Sequence, residues 1–212
     1  MGNTSSSPNL GYRILKLTSD SPCVPLGLES FLDFITEIST LRRETLLPQN
    51  SELHQFSKVI SENYDNPLIL KVYNIFNREY RELVVTPHRP IGLGLMLRQE
   101  DINLSERSIL RVKGGVLGLI ENEELCLGLT RFLYRSGGEF ESYLKKEKIE
   151  KDEEMYVFNF KNGTGRFIKV GEGALIGTTV EEGRIPMKEG SSCKSISNLI
   201  DNVIYFFWRS LI

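Results

Sequence analysis

The sequence predicts a mostly β, α+β fold: two consecutive modules of similar plan, built from short strands with short helices, followed by an amphipathic helical tail. Three observations carry this. Short runs rich in β-branched and aromatic residues recur between Gly, Pro, Ser and Asn clusters. The runs repeat, with Gly27-Leu28 and Gly118-Leu119 standing 91 residues apart, and Val72-Tyr73-Asn74 and Val157-Phe158-Asn159 standing 85 apart. The chain has 212 residues, 40% hydrophobic and 25% charged, ordinary globular composition with room for one large domain or two of about 100 residues.

In order along the chain, Tyr12-Arg13-Ile14-Leu15-Lys16-Leu17 nearly alternates and reads as the first strand. Ser19 to Pro22 makes a turn, and Gly27-Leu28 leads into the apolar run Phe31-Leu32-Asp33-Phe34-Ile35. Leu53, Phe56, Val59, Ile60 and Asn63 recur at helical spacing behind Ser51, a candidate N-cap. Leu68 to Tyr73 and Tyr80 to Val85 then form a strand pair, and Gly92 to Leu97 a Gly-spaced apolar strand. The second copy offers Ile109 to Val112, Leu125 to Leu129, a strand pair over Met155 to Phe160 and Arg166 to Val170 around the tight-turn signal Asn162-Gly163, and a closing strand over Gly173 to Val180. Its counterpart to the helix, Glu139 to Glu154, is a dense Lys/Glu alternation and reads as a solvated face or flexible connection. After a Ser-rich link, Ile196, Leu199, Ile200, Val203, Ile204, Phe207, Trp208 and Leu211 mark one face of a terminal helix, which either packs on the fold or enters a membrane interface. The expected divisions are a leader over 1–9, modules over 10–100 and 106–189, and the tail over 190–212.

Charge and motifs narrow the function. A net charge of -2 supplies no field to gather nucleic acid. Cys23, Cys126 and Cys193 show no paired spacing and point to a reducing compartment with buried thiols. No signal peptide or membrane span is evident, so a cytosolic protein is expected. His54 and His88 belong to no nucleophile, metal or phosphate-loop motif, so catalytic residues, metal and cofactor are all read as none. Met1-Gly2-Asn3-Thr4-Ser5-Ser6 fits the N-myristoylation pattern at Gly2, making an acyl chain the expected covalent lipid. One such chain binds membranes marginally, so a second attachment is required.

The order of strand, Gly-Leu turn, apolar strand, helix, strand pair and Gly-rich strand resembles a PDZ domain. As a tandem behind a myristoylation motif it resembles the Golgi reassembly and stacking protein (GRASP) family. The residues carrying the likeness are Gly11-Tyr12, Ser21-Pro22, Gly27-Leu28-Glu29, Phe31 to Ile35, Lys71 to Asn74, Arg81-Glu82 and Thr86-Pro87, then Gly118-Leu119, Tyr156 to Asn159 and Gly183 to Pro186. The resemblance implies two circularly permuted PDZ folds, the last strand of each lining a peptide groove. In the first groove, Ile91-Gly92-Leu93-Gly94 would receive a carboxylate, Leu95-Met96-Leu97 would pair with the peptide, and Phe56, Val59 and Ile60 would line the side-chain pockets. Pro87-His88-Arg89-Pro90 stands where the family usually has Trp-Gly-Gly.

The expectation is therefore a non-enzymatic adaptor on the cytoplasmic face of Golgi or early secretory membranes, binding a golgin-like C-terminal peptide and self-associating to tether membranes. The alternative is a PDZ-type regulatory module for a membrane protease or secretion factor without stacking activity. Ser210-Leu211-Ile212 also fits a PDZ-ligand terminus, which would give head-to-tail self-association.

Overall fold

Strands with one wet face alternate cleanly, whereas strands covered on both faces lose their polar positions, and the first half of the chain shows both kinds. A computed structural model describes residues 9–106, 109–113, 124–131, 133, 137–144, 153–170 and 179–183. Gly2, Gly114-Gly115, Gly118-Leu119 and the terminal helix with its Ser210-Leu211-Ile212 end lie outside the described residues, as does Cys193. The first half contains β1 (Leu10–Leu17), a 3-10 turn (Val24–Leu26), β2 (Asp33–Thr40), β3 (Thr45–Leu47), α1 (Leu53–Glu62), β4 (Leu68–Asn74), β5 (Glu79–Val85) and β6 (Leu95–Asp101). A short helix, α2 (Ile102–Ser105), leads to β7 (Ile109–Lys113), β8 (Glu124–Leu129), α3 (Gly137–Leu144), β9 (Glu154–Asn159), β10 (Thr164–Lys169) and β11 (Thr179–Gly183). The fold is mostly β with few short helices.

Two antiparallel sheets result, in the orders β5-β4-β2-β1-β6 and β10-β9-β8-β7-β11, with β3 added to β2 in the first. Position for position these are the same sheet. The repeated triplets explain why. Asn74 and Asn159 are both buried at the end of a strand, and each side-chain Oδ1 accepts two backbone amides of the following turn, Phe76 and Asn77 in one copy, Lys161 and Asn162 in the other. Each backbone carbonyl then closes the turn by accepting from Arg78 or Gly163, the residues that adopt positive φ. An ion pair is duplicated at the same register positions of the two sheets: Arg81 reaches Asp33 at 2.6 Å, and Arg166 reaches Glu124 at 2.9 Å. Burial pushes the Asp33 carboxyl up to about 6, against the pull of the Glu29 amide, Arg81 and Asn74.

Two sequence expectations need correction. The second module does carry a helix, α3, inside the Lys/Glu-rich stretch, because Phe140 and Tyr143 fall on one helical face and both are buried. The α1 N-cap is Glu52, whose N–H donates to Gln55 Oε1 at 3.2 Å, while the Ser51 hydroxyl turns back to the Pro48 carbonyl. Of the closing strand expected over Gly173 to Val180, residues 173–178 lie outside the described residues, and the described β11 covers Thr179–Gly183.

Among the described residues the core has two parts. One lies between the first sheet and α1, and includes Ile14, Ile35, Ile38, Leu70, Val72 and Phe56. The other joins the two modules: Leu15, Phe31, Phe34 and Ile102 of the first pack with Leu125, Leu127, Tyr156 and Phe158 of the second. Neighbours Ile14 and Leu15, and Phe34 and Ile35, thus point to opposite cores, as the two-residue strand period demands. Polar contacts reinforce the junction. Arg13, itself buried, donates to Leu127 O at 3.1 Å, Arg98 donates to Leu129 O at 3.2 Å, and Lys16 pairs with Glu154 at 2.5 Å. Gly128 is required here, since a Cβ at that position would stand 2.6 Å from the Phe31 ring.

Candidate functional site: a groove between α1 and β6

Side chains at 53, 57, 60 and 64 fall within one narrow stripe of an α-helix, and this stripe of α1 and its C-terminal turn overlooks β6. The helix is seated from below. Phe56 packs on Tyr12 with ring centroids 5.0 Å apart, and the Tyr12 hydroxyl donates to Ser51 O at 2.6 Å just before the helix. Gln99 Nε2 donates to the same carbonyl at 2.7 Å. β6 pairs with β1 on one side only and forms the end of its sheet. Its other edge faces α1 across a cavity of about 320 Å³ lined mostly by apolar residue types, although polar atoms make up somewhat more than half of its exposed surface.

Of the residues expected from the sequence, Phe56, Ile60, Ile91, Gly92, Leu93, Gly94, Leu95 and Leu97 all line this groove. Val59 does not; it lies about a third of a helical turn from the stripe and packs partly buried against the core. Met96 does not either, because the strand period turns it to the opposite face, where it is 43% exposed beside a second cavity. Its backbone remains part of the open edge. Leu53, Ser57 and Tyr64 complete the walls and were not anticipated. The 53-57-60-64 spacing was the signal that could have found them.

The loop at the groove end is tightly built. Gly92 and Gly94 have φ of 66° and 61°. A Cβ on Gly94 would fall 2.5 Å from Thr18 Oγ1 and 2.8 Å from Ser21 Cβ, so both its conformation and its surroundings require glycine. The Ser21 hydroxyl donates to Leu93 O at 2.6 Å and accepts from the Cys23 amide, which anchors the loop to the first turn. His88 and Gly92 exchange backbone hydrogen bonds next to a cis Arg89–Pro90 bond, so the Pro87-His88-Arg89-Pro90 segment closes the loop. Gly92 donates to His88 O and Gly94 to Ile91 O. These two amides are therefore committed inside the loop, and a ligand carboxylate would be met by their neighbours. Cys23 is buried beneath, with burial pushing its thiol up to about 11; Cys126 is buried too.

In the second module α3 packs against β11, the place where α1 leaves a groove beside β6. Among the described residues, no group of three or more His, Cys, Asp or Glu could hold a metal, and no helix is long and apolar enough to cross a membrane. His54 is exposed on α1, next to the Glu52 carboxylate at 3.0 Å.

An antiparallel sheet whose end strand faces a helix across a groove is the plan of a PDZ-like domain, and the second module repeats the sheet order with its helix packed against the end strand. Residues 1–97 match the family described as the GRASP55/65 PDZ-like domain. The first module is therefore a GRASP-family PDZ-like domain, and the match supports a Golgi-associated, non-enzymatic adaptor role.

Proposed function

We propose that this chain is a peripheral adaptor on the cytoplasmic face of Golgi or early secretory membranes, which it tethers by capturing a golgin-like C-terminal peptide in the first groove and by self-association. The observation that carries the reading is the unpaired edge of β6 beside a groove lined mostly by apolar side chains and closed at one end by a glycine loop. Such an edge takes an extended peptide as an added strand, its alternate side chains entering the groove beneath α1. A myristoyl group on Gly2, together with a second contact such as the terminal helix, holds the module at the bilayer. Weak individual contacts suffice there, because an array of copies on apposed membranes raises the effective concentration.

Leu53→Glu tests this. Leu53 opens α1, lines the groove and is 38% exposed. An acidic residue in the first turn suits the helix dipole, so folding is expected to be unchanged. A carboxylate against an apolar ligand side chain is expected to weaken capture of a peptide with an apolar C-terminus by about a hundredfold. Clustering of liposomes by the myristoylated chain should disappear with it. Clustering that persists in Leu53→Glu, or never occurs with the wild type, contradicts the proposal.

A further inference from the structure

We infer that Arg89, laid on the ring of Tyr64, is the cation that holds the terminal carboxylate of a peptide in the first groove. This rests on the groove reading above and names the residue that anchors its ligand. Two of the donors in the Ile91–Gly94 loop are already spent within it: the Gly92 amide donates to His88 O at 2.6 Å and the Gly94 amide to Ile91 O at 3.1 Å. The neighbouring helix opposes an anion there. α1 runs from Leu53 to Glu62, and its last turn reaches the loop: a Cβ on Gly92 would stand 3.3 Å from Ile60 Cγ2, and the Asp65 amide donates to Pro87 O at 2.9 Å. The loop thus faces the C-terminal end of α1, where the helix dipole is negative. A cation beside the loop offsets both deficits.

Arg89 is that cation by position. Its guanidinium carbon lies 5.2 Å from the centre of the Tyr64 ring, and Tyr64 is a wall of the groove one helical turn beyond Ile60. The backbone of Arg89 is held inside the turn that His88 and Gly92 close by exchanging hydrogen bonds, at 3.0 and 2.6 Å. Among the described residues Arg89 enters no ion pair, and the neighbouring His88 is the side chain that meets Asp65, at 3.4 Å. A guanidinium stacked on an aromatic face keeps its N–H donors in its own plane, clear of the ring, where two of them match the two oxygens of a carboxylate. Tyr64 is the positioning residue, since its ring fixes Arg89 at the loop end of the groove. Arg89 belongs to the Pro87-His88-Arg89-Pro90 segment that stands in place of Trp-Gly-Gly, so this anchor is a property of this chain rather than of the family pattern.

The test uses the full chain and a labelled peptide ending leucine–serine–valine, offered with a free carboxylate or with a C-terminal amide, and read by fluorescence anisotropy. The free acid is expected to bind the wild type about tenfold or more tightly than the amide. Arg89→Gln, a change at an exposed position, should bring that ratio down to about threefold or less while moving the affinity of the amide by less than about twofold. Tyr64→Phe keeps the ring and should preserve the ratio, whereas Tyr64→Leu removes the platform and should lower it toward the Arg89→Gln value. Equal binding of acid and amide by the wild type, or a ratio unchanged in Arg89→Gln, overturns the inference and leaves the groove reading standing. Equal weakening of both forms by Arg89→Gln overturns it too, because Arg89 then only supports the loop. An amidated peptide ending in aspartate that binds the wild type as tightly as the free acid shows that the site reads a side-chain carboxylate, which overturns the assignment to a chain terminus. If neither form binds the wild type, the groove reading fails and takes this inference with it.

Discussion

Replacing Phe31 by alanine is expected to cost about 3–5 kcal/mol, the range for deleting a fully buried aromatic ring, and to uncouple the two modules. Phe31 is completely buried. Its ring stacks on Tyr156 of the second module with centroids 5.3 Å apart and planes 11° apart, and meets Phe167 edge-on at 6.3 Å. The Arg13 guanidinium lies 5.1 Å from the ring centre. The backbone holds Phe31 at a φ of 61°, with its N–H donating to Ile14 O at 2.6 Å, so the ring is fixed in direction. Alanine would leave a void in the apolar cluster that, among the described residues, both modules share. Urea unfolding followed by circular dichroism should change from one cooperative transition to two, with the second module melting first. A loss below about 1 kcal/mol with a single transition would show that the junction does not bind the modules together.

Arg13→Met is expected to have an effect of similar size. Arg13 donates to Phe31 O at 3.0 Å, to Glu100 at 2.9 Å and across the junction to Leu127 O at 3.1 Å. Burial alone would raise the pKa of Glu100, yet the cations of Arg13 and Arg98 hold it below its ordinary value. Removing one partner of a buried pair costs about 3–5 kcal/mol, mostly through the charge left behind. The pH dependence has a definite sign. A carboxyl depressed in the folded state contributes stability above its unfolded pKa and loses it as pH falls through the folded value. The gap between wild type and Arg13→Met should therefore be full at neutral pH and narrow in acid. The double variant Arg13→Met/Glu100→Gln should recover at least half of the loss, as a coupled pair requires. A single variant within about 1 kcal/mol of wild type, or a double variant that is simply additive, would contradict this account.

Most of the architecture was legible because its local chemistry is repeated. Asn74 and Asn159 terminate equivalent strands through the same side-chain bonds, so a short sequence match marked a structural one. The glycine loop was legible for a similar reason: Gly92 and Gly94 occupy backbone conformations that other residues resist. What stayed hidden depends on tertiary partners. The run Phe31 to Ile35 looked like one core strand, and nothing in its pattern indicated that Phe34 faces a second module while Ile35 faces the first. The helix α3 was masked by exposed charges around only a few buried anchors, Phe140 and Tyr143 among them. Val59 was expected to line the pockets with Phe56 and Ile60, and Met96 to pair with the peptide through its strand, whose edge is open. Helical phase turns Val59 away from the groove, and the same phase places Leu53, Ser57 and Tyr64 on its walls.

The central claim is that the open edge of β6 accepts a foreign chain as an extra strand while the second module does not. It is tested most directly by nuclear magnetic resonance titration of the ¹⁵N-labelled chain with an apolar C-terminal peptide. The expected result is perturbation of the Leu95 to Leu97 amides and of α1, protection of β6 amides from solvent exchange, and no response along α3 or β11. Perturbations confined to the second module, or no change along β6 at saturating peptide, would contradict the claim.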